Sequence, residues 1–181
     1  MGVDLTDTSE VVTIHVDSPA ALPAIVGRSF TTPWFSVDHD RSDQFEYATY
    51  LDSYPHPYED EEGDGYGEGL VEGFHLLAMI DYLLNHVFIA DFRCVPWNYG
   101  LDRVRFVSVV RITDRFRITG TVREVIDRSP QGPLVVLDLT AHVLGRDKPA
   151  FVATQRALWV TDDSAGPAGP RHDSSDTKDL S

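Results

Sequence analysis

The stretch Gly69–Ala90, "GLVEGFHLLAMIDYLLNHVFIA", decides the fold. It is the longest apolar stretch in the chain, and Leu70, Phe74, Leu77, Met79, Leu83, Leu84 and Val87 recur in it at helical spacings. That periodicity predicts a helix buried on most of its circumference. Its length approaches a membrane span, but Glu72, His75, Asp81, Asn85 and His86 interrupt it, and charges inside a bilayer are costly. The expectation is the central helix of a soluble domain.

Working outward, four strand-like runs follow: "RVRFVSVVRI" from Arg103, "RFRITGTVREVID" from Arg115, "PLVVLDLTAHVLG" from Pro133 and "PAFVATQRALWVT" from Pro149. All are rich in β-branched residues, and the second alternates charged and apolar positions as a half-exposed strand does. "SPQG" and "GRDKP" between them read as hairpin connections. One helix followed by antiparallel strands predicts an α+β fold with a curved sheet wrapped on the helix. Residues 161–181 are rich in Ser, Asp, Gly and Pro, which predicts a disordered tail. Residues 1–10 read as a flexible N-terminus, leaving one domain over 11–160.

Composition narrows the function classes. At 181 residues with 42% hydrophobic content the chain suffices for one core. A formal charge of -14 repels phosphate backbones, which argues against nucleic-acid binding. The single cysteine, Cys94, allows no internal disulfide and no CxxC metal motif, and it reads as a small buried hydrophobe. The first residues lack the positive start and apolar core of a signal peptide, so a cytoplasmic location is expected, with no membrane association.

Chemistry-bearing residues cluster before and at the helix. In "LDSYPH", Asp52 and His56 form an acid/base pair on one reading and a water-facing, proline-bracketed loop on the other. Glu72, at the expected helix N-terminus, is either a carboxylate favoured by the helix dipole by about 0.3 to 1 kcal/mol or a general base or nucleophile. His75, His86 and Asp81 read as structural, His75 as a satisfied core or interface histidine. The run Glu59–Glu68 carries six acids and reads as a solvated loop, with a lid over a pocket as its functional version. Spaced carboxylates there evoke calcium, yet the EF-hand spacing is absent, so no metal is expected. Arg103, Arg105, Arg111, Arg115, Arg117 and Arg123 concentrate basic charge; most suit outward strand positions paired to acids, and Arg103 and Arg105 are the candidates for a phosphate.

The order of "VGRSFTTPWFSVDHDRSDQFEYAT", "EGLVEGFHLLAMI", "NYGLDRVRF" and "KPAFVATQRALWV" resembles the MaoC-like (R)-specific enoyl hydratases and dehydratases, single hot-dog proteins. The resemblance runs from about Leu22 to Val160, and "NYGLDRVRF" is its most specific piece. It implies a hot-dog fold and a homodimer or heterodimer whose sheets join. It also implies an acyl thioester substrate on coenzyme A or an acyl carrier protein, and chemistry without a cofactor. Asp52, His56 and Glu72 become the candidate catalytic residues, and Tyr54, Val71, Gly73, Tyr99, Arg103 and Arg105 the candidate substrate-binding ones, with backbone N–H groups near Val71 to Gly73 polarising the thioester carbonyl.

The sequence also departs from that family. The family's aspartate precedes its histidine by five positions, whereas Asp52 and His56 stand one position closer; Tyr50 replaces a glycine and Glu72 a histidine. Two other expectations therefore stand beside a dehydratase: a thioesterase, cyclase or isomerase using Glu72, and a non-catalytic acyl-binding or heterodimer subunit.

Overall fold

A computed structural model of the protein describes residues 10–53 and 69–161. In chain order the elements are β1 (Ile14–Val16), β2 (Ser29–Thr31), α1 (His39–Ala48), α2 (Gly73–Leu84), β3 (Phe88–Ala90), β4 (Cys94–Phe106), β5 (Phe116–Asp127), β6 (Pro133–Val143) and β7 (Phe151–Thr161), with 3-10 turns at Pro19–Ile25 and Leu51–Ser53. β2, β5, β6, β7 and β4 lie in that order in one antiparallel sheet, and β1 pairs with β3 in a separate parallel ribbon.

Burial explains the arrangement. β6, "PLVVLDLTAHV", lies mid-sheet and is covered along most of its length, while β5 is partly exposed as its charged positions require. α2 buries Leu76, Ile80, Leu83 and Leu84 in the same core as Phe30, Phe116, Ile118, Leu137 and Phe151 of the sheet. The two expected hairpins join β5 to β6 and β6 to β7. This is the expected α+β hot-dog architecture.

Two expectations about element limits need correction. The apolar stretch does not stay helical to Ala90: α2 stops at Leu84, because Phe88–Ala90 pair with Ile14–Val16 instead. Short apolar runs are helix/strand ambiguous until their partner is known. The strand expected from Arg103 begins at Cys94 and ends at Phe106. Pro96, Asn98 and Gly100 disguise it, and they are tolerated because β4 is an edge strand, where a missing N–H breaks no necessary pairing. Beyond Phe106 the chain leaves the sheet to clasp the entry to α2: Val71 N donates to Val110 O at 2.8 Å and Ile112 N to Gly69 O at 2.8 Å.

The turn after α1 preserves a telling feature. Tyr50 adopts φ 62°, the left-handed region that favours glycine, and it stands where the resembled family has a glycine. Backbone geometry at that point is therefore glycine-like although the side chain is not. Tyr54, His56 and the acidic run Glu59–Glu68 lie outside the described residues, as do residues 1–9 and 162–181.

Candidate active site

The site is built where the end of α1 meets the start of α2. Asp38 caps α1, its carboxylate accepting from Arg41 N at 2.9 Å. Near the other end of α1, Phe45 stacks on His75 of α2, ring centroids 4.5 Å apart and planes within 8°. That contact holds the chain leading to Asp52 against the first turn of the central helix. Asp52 follows in the Leu51–Ser53 turn with an exposed side chain.

Glu72 occupies the N-cap of α2, half-buried, and its side chain makes no capping hydrogen bond. Leu76 N is the first helix donor satisfied within the helix, by Glu72 O at 3.1 Å. The N–H groups of Gly73, Phe74 and His75 precede it and have no intrahelical acceptor by helix geometry. They make up the positive end of the helix dipole, the arrangement that stabilises negative charge on an oxygen. Val71 does not belong with them: it is buried and its N–H is committed to Val110 O, so the carbonyl-polarising role expected of Val71 is withdrawn.

Gly73 allows a close approach. A methyl group there would come within 2.8 Å of Phe106 Cζ, so the ring at the end of β4 lies directly over the helix start. Arg105 is its chain neighbour. Arg103 and Arg105 are exposed on β4, and Arg103 sits in an irregular step of the strand with φ 52°. Tyr99 lies on the same edge strand, where Arg128 Nη2 donates to its hydroxyl at 3.0 Å and the guanidinium covers its ring. Among the other arginines, Arg117 pairs with Glu10 and Arg123 with Asp138, the structural role expected for them.

His75 is the residue that sequence reading undervalued. It is 6% exposed, and its Nδ1 has no hydrogen-bond partner among the described residues, so it is not a satisfied core histidine. Burial holds its pKa below the ordinary histidine value, with the Asp38 carboxylate pulling in the opposite sense. The imidazole beneath the helix start is thus kept neutral near pH 7. A histidine on an apolar helix face was the only available signal. Among the described residues no group of three or more His, Cys, Asp and Glu is placed to hold a metal ion. No described helix is long and apolar enough to cross a membrane.

No protein-family model matches the chain. Nodulation protein N of Rhizobium leguminosarum bv. viciae is 26% identical over 153 residues, covering 82% of this chain and 92% of the relative. The 3-hydroxyacyl-thioester dehydratase Z of Mycobacterium tuberculosis is 28% identical over 145 residues, covering 80% and 94%. Among solved structures, a monoamine oxidase regulatory protein from Archaeoglobus superposes with a TM-score of 0.62 at 18% identity, over 83% of this chain and 99% of that one. A MaoC-like dehydratase from Rhodospirillum rubrum does so with a TM-score of 0.51 at 17% identity, over 75% and 92%. At those identities the structures speak for fold, and the curated relatives extend the likeness to sequence. Fold and relatives agree: the chain has a hot-dog fold and is similar to a 3-hydroxyacyl-thioester dehydratase in sequence and to a MaoC-like dehydratase in structure.

Proposed function

We propose that the protein is a hydro-lyase that interconverts a β-hydroxyacyl thioester and its enoyl thioester. The observation that supports this reading is the Phe45–His75 stack, which brings α1, the helix that leads into the Asp52 turn, against the first turn of α2, whose N-cap side chain makes no capping hydrogen bond. In the elimination direction a base takes the α-proton, the electron pair forms the double bond, and an acid protonates the departing β-hydroxyl as water. The reaction is redox-neutral and balances with one acid and one base. Asp52 and His56 take those two tasks. Gly73 and Phe74 N–H groups hold the thioester oxygen as charge builds on it. His75 positions Phe45 against the helix. Arg103 and Arg105 meet the phosphate of coenzyme A or of an acyl carrier protein, and Tyr54 and Tyr99 flank the carrier arm.

The exposed edge of β4 supports a paired state. This strand runs 13 residues, and Val95, Trp97, Tyr99, Leu101, Val104 and Phe106 are all exposed along it. A long edge that no strand pairs among the described residues, carrying aromatic side chains, is a surface that proteins cover. The proposed cover is β4 of a second hot-dog chain, identical or homologous, and the heterodimeric version accommodates a chain whose own dyad is silent.

One observation favours a second chemistry. The carboxylate of Glu72 makes no cap, which leaves it free to act as base or nucleophile in a thioesterase, cyclase or isomerase. A single experiment separates the readings. The purified protein is incubated with crotonyl and 3-hydroxybutyryl thioesters, and with longer-chain versions of each, while absorbance of the enoyl group and free thiol are followed together. The dehydratase reading expects interconversion that Asp52→Asn and His56→Ala abolish. Thiol release abolished by Glu72→Gln replaces it with the thioesterase. Turnover only after adding a homologous subunit assigns the silent-partner role.

A further inference from the structure

At the opposite end of α2 lies a cavity of about 360 Å³, within the range of roughly 300 to 1,000 Å³ usual for small-ligand sites. Leu84, Phe88, Phe92, Val135, Leu137 and Trp159 make most of its wall apolar. Asp81 is set into that wall.

Two amides fix the carboxylate. Gln155 Nε2 donates to Asp81 Oδ1 at 3.1 Å, Asn98 Nδ2 donates to Asp81 Oδ2, and Gln155 Nε2 also donates to Asn98 Oδ1 at 3.1 Å. Gln155 is 2% exposed, and its Oε1 has no hydrogen-bond partner among the described residues. A carboxylate offers about four acceptor positions, of which this arrangement fills two. The cluster thus holds more acceptors than donors.

Charge points the same way. Neither Lys nor Arg lines the cavity, and none pairs with Asp81 among the described residues. Asp81 also falls in the last turn of α2, which carries no basic residue, where the helix dipole favours a cation and disfavours an anion. An anion in an apolar wall is costly unless it is paired. What the site lacks is a donor, best a positively charged one.

We propose that this cavity binds an apolar group ending in a hydrogen-bond donor, a protonated amine or a hydroxyl, that donates to Asp81. A carboxylate or phosphate end is repelled by Asp81 and meets no basic residue in the wall. The donor-bearing group is either the far end of a substrate's acyl chain or a separate small amphiphile. The site itself does not depend on the thioester reading.

Cys94 reports occupancy, because it is the chain's single cysteine and lines the cavity. Hexylammonium, hexan-1-ol, pentyl methyl ether and hexanoate are titrated into the full chain by calorimetry, with the rate of Cys94 labelling by a thiol reagent as a second readout. Hexylammonium and hexan-1-ol should bind and slow labelling, while the ether and hexanoate bind about tenfold or more weakly, the loss expected for one charge-assisted hydrogen bond. Asp81→Asn should weaken hexylammonium by at least about tenfold and hexan-1-ol less. Equal binding of the ether and the alcohol, or binding of hexanoate as tight as hexylammonium, overturns the proposal using the unmodified protein alone.

Substrates then identify the source. An ω-hydroxyacyl thioester with a kcat/KM above that of the plain chain, and hexan-1-ol competing against it, assign the cavity to the acyl end. Hexan-1-ol binding with no effect on KM assigns it to a separate ligand. Absence of thioester turnover counts against the hydro-lyase and leaves the amine and alcohol titrations to decide the cavity.

Discussion

Replacing Gly120 with alanine should cost the fold about 1 to 2 kcal/mol net, taking overpacking at about 2 to 3 kcal/mol, the upper part of its usual range because a backbone carbonyl stands in the way, and subtracting the roughly 1 kcal/mol that alanine regains from glycine's chain entropy. Gly120 sits in β5, opposite Phe30 of β2 on one side and Leu139 of β6 on the other. An added methyl carbon would lie 2.6 Å from the Asp138 carbonyl oxygen and 2.9 Å from Phe30 Cε1. Comfortable contacts fall near 3.5 to 4.0 Å, so ring and carbonyl would each have to retreat by about 1 Å. Neither retreats cheaply: Phe30 is 1% exposed and packs edge-on against Phe88 at 5.0 Å, and the carbonyl belongs to the central strand β6. For a chain of this size 1 kcal/mol corresponds to about 2 to 4 °C, so the melting temperature should fall by roughly 2 to 8 °C. Urea denaturation of Gly120→Ala, Phe30→Leu and the double variant measures it. The double variant should be more stable than the two single losses added together, since leucine removes the outer ring atoms. A Gly120→Ala variant within about 0.5 kcal/mol of the wild type, or strict additivity, refutes the reasoning.

Other expectations concern the turn, the buried polar groups and the open edge. Tyr50→Gly should raise stability by up to about 1 kcal/mol in denaturant titration, because φ 62° costs a residue with a Cβ. Thr32→Val should cost about 1 to 3 kcal/mol, since the buried Thr32 Oγ1 accepts from Ile118 N at 2.9 Å and valine leaves that N–H without it. Burial lowers the pKa of His75 and of His142, the latter also beside Arg117, so the unfolded chain binds protons that the folded one refuses. Stability should be complete above the ordinary histidine pKa of about 6.5 and decline as the pH falls through it. His75→Gln should remove part of that decline, and a flat melting temperature between about pH 7.5 and 5.5 would contradict it. Trp97→Glu should shift the species seen by light scattering from dimer towards monomer, whereas unchanged mass would exclude β4 as the joining edge.

Periodicity made the main architecture readable. The helical spacing from Leu70 onward found α2, and the β-branched runs found β5, β6 and β7. What escaped depended on partners distant in the chain. Nothing in Phe88–Ala90 marks it as a strand until Ile14–Val16 is beside it, and Pro96 reads as a breaker until β4 is known to be an edge. The site divides the same way. Glu72 was legible as a helix-start carboxylate from its position before an apolar run. The missing partner of His75 Nδ1 was not, because it follows from packing against Phe45 thirty positions earlier. The hydrogen bond from Gln155 to Asp81 spans 74 positions and left no local trace.

The free edge of β4 carries its own address. Its pairing with β7 shifts register between Asn98 and Gly100 and again between Asp102 and Arg105, with Arg103 left-handed in the second break. Such irregularities twist and interrupt a strand, so a flat, evenly spaced peptide cannot run along the whole edge. A generic aggregating segment is thereby refused. In the pairing proposed for this edge, a strand with the same two breaks at matching places would be admitted, which would make the irregularities themselves the mark that distinguishes a copy of this chain or a close homologue from other strands.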